Sequence, residues 1–226
     1  QWQRSRQTLP ARHREWRDVS MTPRYWQRAS SELARADPVL ARLVERFAGM
    51  ALVSRGDAFA TLLRSIVGQQ ISVKAADSVW ARLLDALSSV VTPRAVLASE
   101  RETLRACGLS QRKVEYVFDL AQHFASGQIH VDRWTAMSDA EIIAELTAVR
   151  GIGVWTAEMF LIFHQLRPDV FPLDDIGLQK AVALHYCQGE RPGRRLLAEH
   201  GERWRPWRSV ATWYLWRSLD PLPVEY

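Results

Sequence analysis

Asp174 and Asp175 stand side by side in "DVFPLDDIGLQK", residues 169 to 180, among apolar neighbours. A carboxylate in such company needs hydrogen-bond donors or a task, because an unpaired charge is costly to bury. One of the pair can cap the helix that "DIGLQKA" begins, which leaves the other free to act on a substrate. Shortly upstream, "LTAVRGIGVWTAEMFLIF", residues 146 to 163, breaks two helical patterns with Gly151 and Gly153. Glycine costs backbone entropy and packs nothing, so the turn must need its bare backbone. A tight turn at positive φ would explain both glycines. A second explanation adds chemistry: N–H groups at the start of the helix over 153–165, with the helix dipole, bind a phosphate. Thr156, in its first turn, can donate to the same phosphate.

The elements that must position these residues are helices. Apolar residues recur at helical spacing from Thr22 onward, and no alternating stretch is long enough to build a sheet. "TPRYWQRASSELARAD" opens with Thr22 as cap and Pro23 at the first helical position. Asp37-Pro38 starts the next helix, and Asp57 caps the one over 57–67. The helix over 72–87, capped by Ser72, turns Val73, Ala76, Val79, Trp80 and Leu83 inward. About ten helices with short turns make an all-α fold. Two lobes with a cleft between them are expected over residues 21–226, without a separate β domain. Residues 1–20 carry Arg4, Arg6, Arg12, Arg14 and Arg17 without an apolar period. They read either as a basic arm with nonspecific phosphate contacts or as sequence foreign to the domain.

Composition narrows the class. At 47% hydrophobic and 24% charged, the 226 residues can bury a core. No apolar run approaches the ~20 residues that a membrane span needs. No secretory signal opens the chain, and a monomer in the cytoplasm is expected. Cys107 and Cys187 form no pair motif, which excludes a four-cysteine cluster. The net charge of +5 favours a polyanionic partner. Lysine occurs only as Lys74, Lys113 and Lys180, so arginine carries almost all of the positive charge.

The stretch "AVRGIGVWTAEMFLIF…RPDVFPLDDIGLQKA" resembles the helix-hairpin-helix and aspartate signature of DNA glycosylases. It is most similar to the 3-methyladenine DNA glycosylase II group, and "SIVGQQISVKAADSVWARL" and "WRPWRSVATWYLW" resemble that group too. The resemblance runs from about Phe59 to about Leu219. It implies base excision repair: a damaged base in double-stranded DNA is flipped out and cut from its sugar. It assigns catalysis to Asp175, with Asp174 as the helix cap; the opposite assignment stays open on the residues alone. A carboxylate near C1′ stabilises the oxocarbenium-like state and orients water. Alkylated purines such as 3-methyladenine and 7-methylguanine already carry positive charge and leave without a general acid. A cationic ring is attracted to tryptophan.

By the same resemblance Trp155 and Trp216 are pocket walls, against the alternative of core packing. Trp207 and Trp213, also placed on the final helix, lie nearer to core. The resemblance also sets Met159 and Ile176 at the base pocket, in positions that are aromatic in some relatives, which bears on substrate range. "VGQQIS" puts Gln69, Gln70 and Ile71 at a turn tip before Ser72, where a residue of the family enters the gap left by the flipped base. Gln70 is the first choice and Ile71 the second; the glutamines could equally satisfy buried backbone groups. Strand-cleaving members carry a nucleophilic lysine after the hairpin, where this chain has Trp155, so the implied product is an abasic site. No cofactor is expected for catalysis. Family hairpins often hold a structural monovalent cation, for which the carbonyls of Thr147, Val149 and Ile152 are the candidates. The alternatives are a non-catalytic hairpin module that binds bent or damaged DNA, and a glycosylase for another lesion class.

Overall fold

The computed structural model describes residues 22–54 and 56–219, so the basic stretch at 1–20 lies outside the described residues. Among the described residues the fold is all-α. The chain forms α1 (Trp26–Ala36), α2 (Pro38–Arg46), α3 (Ala58–Gly68), α4 (Val73–Ala86), α5 (Pro93–Ala98), α6 (Arg101–Ala106) and α7 (Gln111–Ala125). A short 3-10 helix (Val131–Ala136) leads to α8 (Asp139–Thr147), α9 (Val154–Phe163), α10 (Ile176–Tyr186), α11 (Arg194–Arg203) and α12 (Arg208–Leu219). No described helix is long and apolar enough to cross a membrane.

Side-chain caps set most helix starts. Asp37, Asp57, Ser72, Thr92 and Ser110 each accept from a first-turn N–H, and Ser138 with Glu141 forms a full capping box. Each cap contributes about 1 kcal/mol. Thr22 does not act as the cap its type suggests. Residues 24 and 25 form a turn closed by Trp26 N–H on the Pro23 carbonyl (2.9 Å), and α1 starts only at Trp26. Thr22-Pro23 has the composition of a helix start, but winding begins at Trp26, which is buried in the core. Val73 also departs from expectation: it is 70% exposed, because α4 buries only Val79 and Leu83.

Two groups of helices pack separately. α3 to α9 form one lobe, with α7 against α3, α5 and α6, and α8 against α9. α1, α2, α10 and α12 form the other. Polar bonds tie the early helices to distant sequence: Ser30 Oγ to Tyr214 Oη (2.9 Å), Trp207 Nε1 to Glu32 (2.6 Å), and Tyr186 Oη to Asp37 (2.8 Å). α9 is buried over most of its surface, through Thr156, Ala157, Met159, Phe160, Leu161 and Ile162. A helix apolar on nearly every side belongs inside the protein. Only the N-terminal end of α9 reaches solvent, and that end carries the hairpin.

Candidate active site

Asp175 is 7% exposed, and its carboxylate is held by three N–H donors. Oδ1 accepts from Leu178 N (2.6 Å) and from Trp216 Nε1 (2.7 Å); Oδ2 accepts from Trp155 Nε1 (3.0 Å). The donors come from both lobes: Trp155 opens α9, and Trp216 lies on α12. Donors of this number and geometry hold a buried anion in place. Asp175 is also the N-cap of α10. The cap therefore belongs to Asp175 and not to Asp174, which is exposed and pairs with Arg194. Either of two adjacent aspartates can cap a helix; the turn that bonds Asp175 N–H to the Pro172 carbonyl (3.0 Å) selects the second.

Both tryptophans are shaped by that carboxylate. Trp155 remains 42% exposed, so its ring stays open to a ligand while its N–H is engaged. Trp216 is half-buried and stacks on Phe163, with ring centroids 5.4 Å apart. Gly177 makes the approach possible. A Cβ there would lie 3.1 Å from Trp216 Cδ1 and 3.2 Å from Asp175 Oδ1, tighter than ordinary packing. Sequence reasoning passed over Gly177, whose only signal was a glycine in the first turn of a helix. Ile176 is 63% exposed beside the site, whereas Met159 is buried in the core. Trp213 is buried as expected. Trp207 precedes α12 instead of lying on it, and stacks on Tyr25.

The loop that delivers Asp175 is fastened at several points. Arg208 forks onto Asp169 (Nε–Oδ1 2.8 Å, Nη2–Oδ2 3.1 Å), and Val170 N–H donates to Ser209 Oγ (2.9 Å). Arg167 donates to the carbonyls of Trp134 and Met137, and Gln179 Nε2 to that of Leu173 (2.8 Å). Rigid support of this kind keeps a functional carboxylate in one geometry.

The hairpin between α8 and α9 separates its two glycines. Gly151 has φ +88°, and a Cβ on it would meet Tyr116 Cδ2 at 2.3 Å. Gly153 has φ −90° and open space around it, so the fold does not demand glycine there. The expectation of positive φ holds for Gly151 alone. As N-cap of α9, Gly153 has no side chain to accept from the first-turn N–H groups. Thr156 is 8% exposed, too buried to stand on the surface beside them. The turn after α3 lies against the hairpin, since Gln69 Nε2 donates to the Gly151 carbonyl (2.7 Å). Gln70, Ile71 and Ser72 are exposed at its tip, and Gln70 adopts a left-handed φ of 58°. Of the carbonyls at Thr147, Val149 and Ile152, that of Val149 accepts from Ile152 N–H (3.2 Å).

Glu158, on α9 one turn past Trp155, went unnoticed in the sequence because it reads as an ordinary charge in an apolar helix. Burial, followed by the nearby Asp174 and then Asp175 carboxylates, pushes its carboxyl up to about 7 against the opposing Arg194. The folded state therefore holds the proton more tightly than the unfolded chain. The associated stability is full below the unfolded value near 4.5 and is lost as pH rises through about 7. Glu158→Gln should accordingly gain stability over wild type between pH 5 and pH 8. For a half-buried group we expect roughly 1 kcal/mol once solvent screening is allowed for. Urea melts of both proteins at the two pH values measure the difference.

The HhH-GPD superfamily of base excision DNA repair proteins matches residues 63–206. YfjP of Bacillus subtilis is 30% identical over 188 residues, which are 80% of this chain and 66% of that protein. Among solved structures, a DNA-3-methyladenine glycosidase from Bacillus halodurans superposes with a TM-score of 0.78 at 33% identity, covering 89% of this chain and 92% of that one. The 3-methyladenine DNA glycosylase Mag1 from Schizosaccharomyces pombe, solved with abasic DNA, gives 0.70 at 30% identity, with 88% and 99% covered.

Proposed function

As the chain belongs to the HhH-GPD superfamily of base excision DNA repair proteins, we propose that it is a DNA glycosylase that hydrolyses alkylated purines from double-stranded DNA and leaves an abasic site. The observation that carries the reading is the Asp175 carboxylate, fixed by the indole N–H groups of Trp155 and Trp216 where the two lobes meet. The C1′–N bond of the flipped nucleotide breaks with its electron pair going to the base. Asp175 stabilises the positive charge left on the sugar. Water adds to C1′ and releases a proton. The open face of Trp155 stacks on the cationic base, which an electron-rich ring attracts.

The hairpin at Gly153 grips a phosphate through backbone N–H groups, and the tip at Gln70 and Ile71 fills the gap in the duplex. A lone active carboxylate with tryptophan at position 155 supports hydrolysis without strand cleavage, because no amine stands there to form a Schiff base. The enzyme works as a monomer without a catalytic cofactor. The carbonyls of Thr147, Val149 and Ile152, oxygen donors at the hairpin, would hold a structural monovalent cation. The protein, incubated with randomly methylated DNA, should release free 7-methylguanine and 3-methyladenine, resolved by chromatography, and leave sites that break only on later alkali treatment. Tight binding of the same DNA with no released base would favour the non-catalytic module instead.

A further inference from the structure

α7 touches both loops that the proposed function sets on the DNA. Lys113 Nζ donates to the carbonyls of Val67 and Gln69, each at 2.7 Å. These carbonyls end α3 and begin the Gln69–Ser72 turn, where the helix leaves acceptors unpaired. Burial lowers the pKa of the ammonium, and the cation also complements the negative end of the α3 dipole. Further along the same helix, the Tyr116 ring lies under Gly151, and Asp119 Oδ2 accepts from Arg150 N–H (2.8 Å). Gln69 closes the circuit through its bond to the Gly151 carbonyl. Gln70, at the tip, sits in a left-handed conformation that a side-chain-bearing residue adopts only under constraint.

We propose that Lys113 is a positioning residue for base flipping: it holds the Gln69–Ser72 turn in register with the hairpin, so that the tip enters the duplex at a fixed distance from the gripped phosphate. The inference rests on the glycosylase reading. It takes Lys113, neither in the pocket nor on the DNA-facing tip, as the link between phosphate grip and insertion. Its contribution falls on extrusion of the base and not on cleavage of the bond.

The test compares one lesion in two settings: 7-methylguanine paired with cytosine, and 7-methylguanine opposite an abasic spacer, where extrusion costs little. Lys113→Met removes the charge and both bonds while keeping most of the stem. Single-turnover excision at saturating enzyme should fall about ten- to a hundredfold on the paired lesion, the scale of a slight misplacement, and far less on the unpaired one. Lys113→Arg, which can reach both carbonyls, should recover part of the loss. An equal loss on the two duplexes, or no loss on either, would overturn the inference. Should Lys113→Met melt below the assay temperature, Lys113→Gln, which removes the charge and shortens the reach to both carbonyls, takes its place under the same criterion. Wild-type protein inactive on both duplexes would instead remove the glycosylase reading itself.

Discussion

Asp175→Asn is expected to keep its fold and lose excision. Asparagine caps a helix as well as aspartate does, so α10 should start where it does now. Its carbonyl can still accept from Leu178 N and Trp216 Nε1, the two bonds now made to Oδ1. Its amide, placed where Oδ2 was, would face the Trp155 N–H donor to donor. On the proposed mechanism the variant lacks the anion that would face the sugar cation, and the loss should be on the order of 10²–10³ in rate, by analogy with removing one oxyanion-hole donor. Binding to abasic-site DNA should stay near wild type. Single-turnover excision of 7-methylguanine, with a thermal melt beside it, makes the measurement. A wild-type rate with an unchanged melt would reduce Asp175 to a cap.

The two hairpin glycines should fail in opposite ways. Gly151→Ala forces a β-carbon into the Tyr116 ring at a backbone angle that side chains avoid. Together these should cost roughly 2–4 kcal/mol and lower the melting temperature by on the order of 10 °C. Gly153→Val meets open space at an ordinary extended φ, so stability should change by no more than about 1 kcal/mol, the scale of a poorer N-cap. Its bulk stands where the phosphate would approach. Binding should weaken by about tenfold or more on lesion and undamaged duplexes alike, because a phosphate contact carries no base information. Weakening confined to one lesion would mean that Gly153 lies beside the base and not the backbone.

Much of this was legible in the sequence because the signals were local. Asp37, Asp57 and Ser72 announce their helices through cap chemistry that depends on a few adjacent residues. The family resemblance implied Trp155, Asp175 and Trp216 together, and the structure brings their side chains into contact. What the sequence hid was relational. Neither Asp174 nor Asp175 reveals which one the preceding turn will aim at α10. Gly177 matters only because Trp216, 39 positions on, needs the space. Lys113 looks like any surface lysine until the end of α3 is seen above it. Val73 is exposed although its spacing points inward, because helical spacing gives a direction around the axis, not what lies in that direction.

The bonds from Tyr25, Ser30, Glu32 and Asp37, in and beside α1, to Leu166, Tyr186, Trp204, Trp207 and Tyr214 span more than 140 positions. The first helical pair described in this chain therefore has no lasting partner while the middle of the protein is being made. Trp26 packs on Trp213 and Tyr214, so its apolar face stays uncovered until α12 has left the ribosome. The lobe from α3 to α9 is contiguous and can close during synthesis; the lobe made from both ends can close only after it. Because the donors to Asp175 are split between the lobes, its three-donor setting is complete only once both lobes have closed. Chains cut short before α12 would therefore hold the hairpin and Trp155 without the Trp216 bond that completes the setting of Asp175.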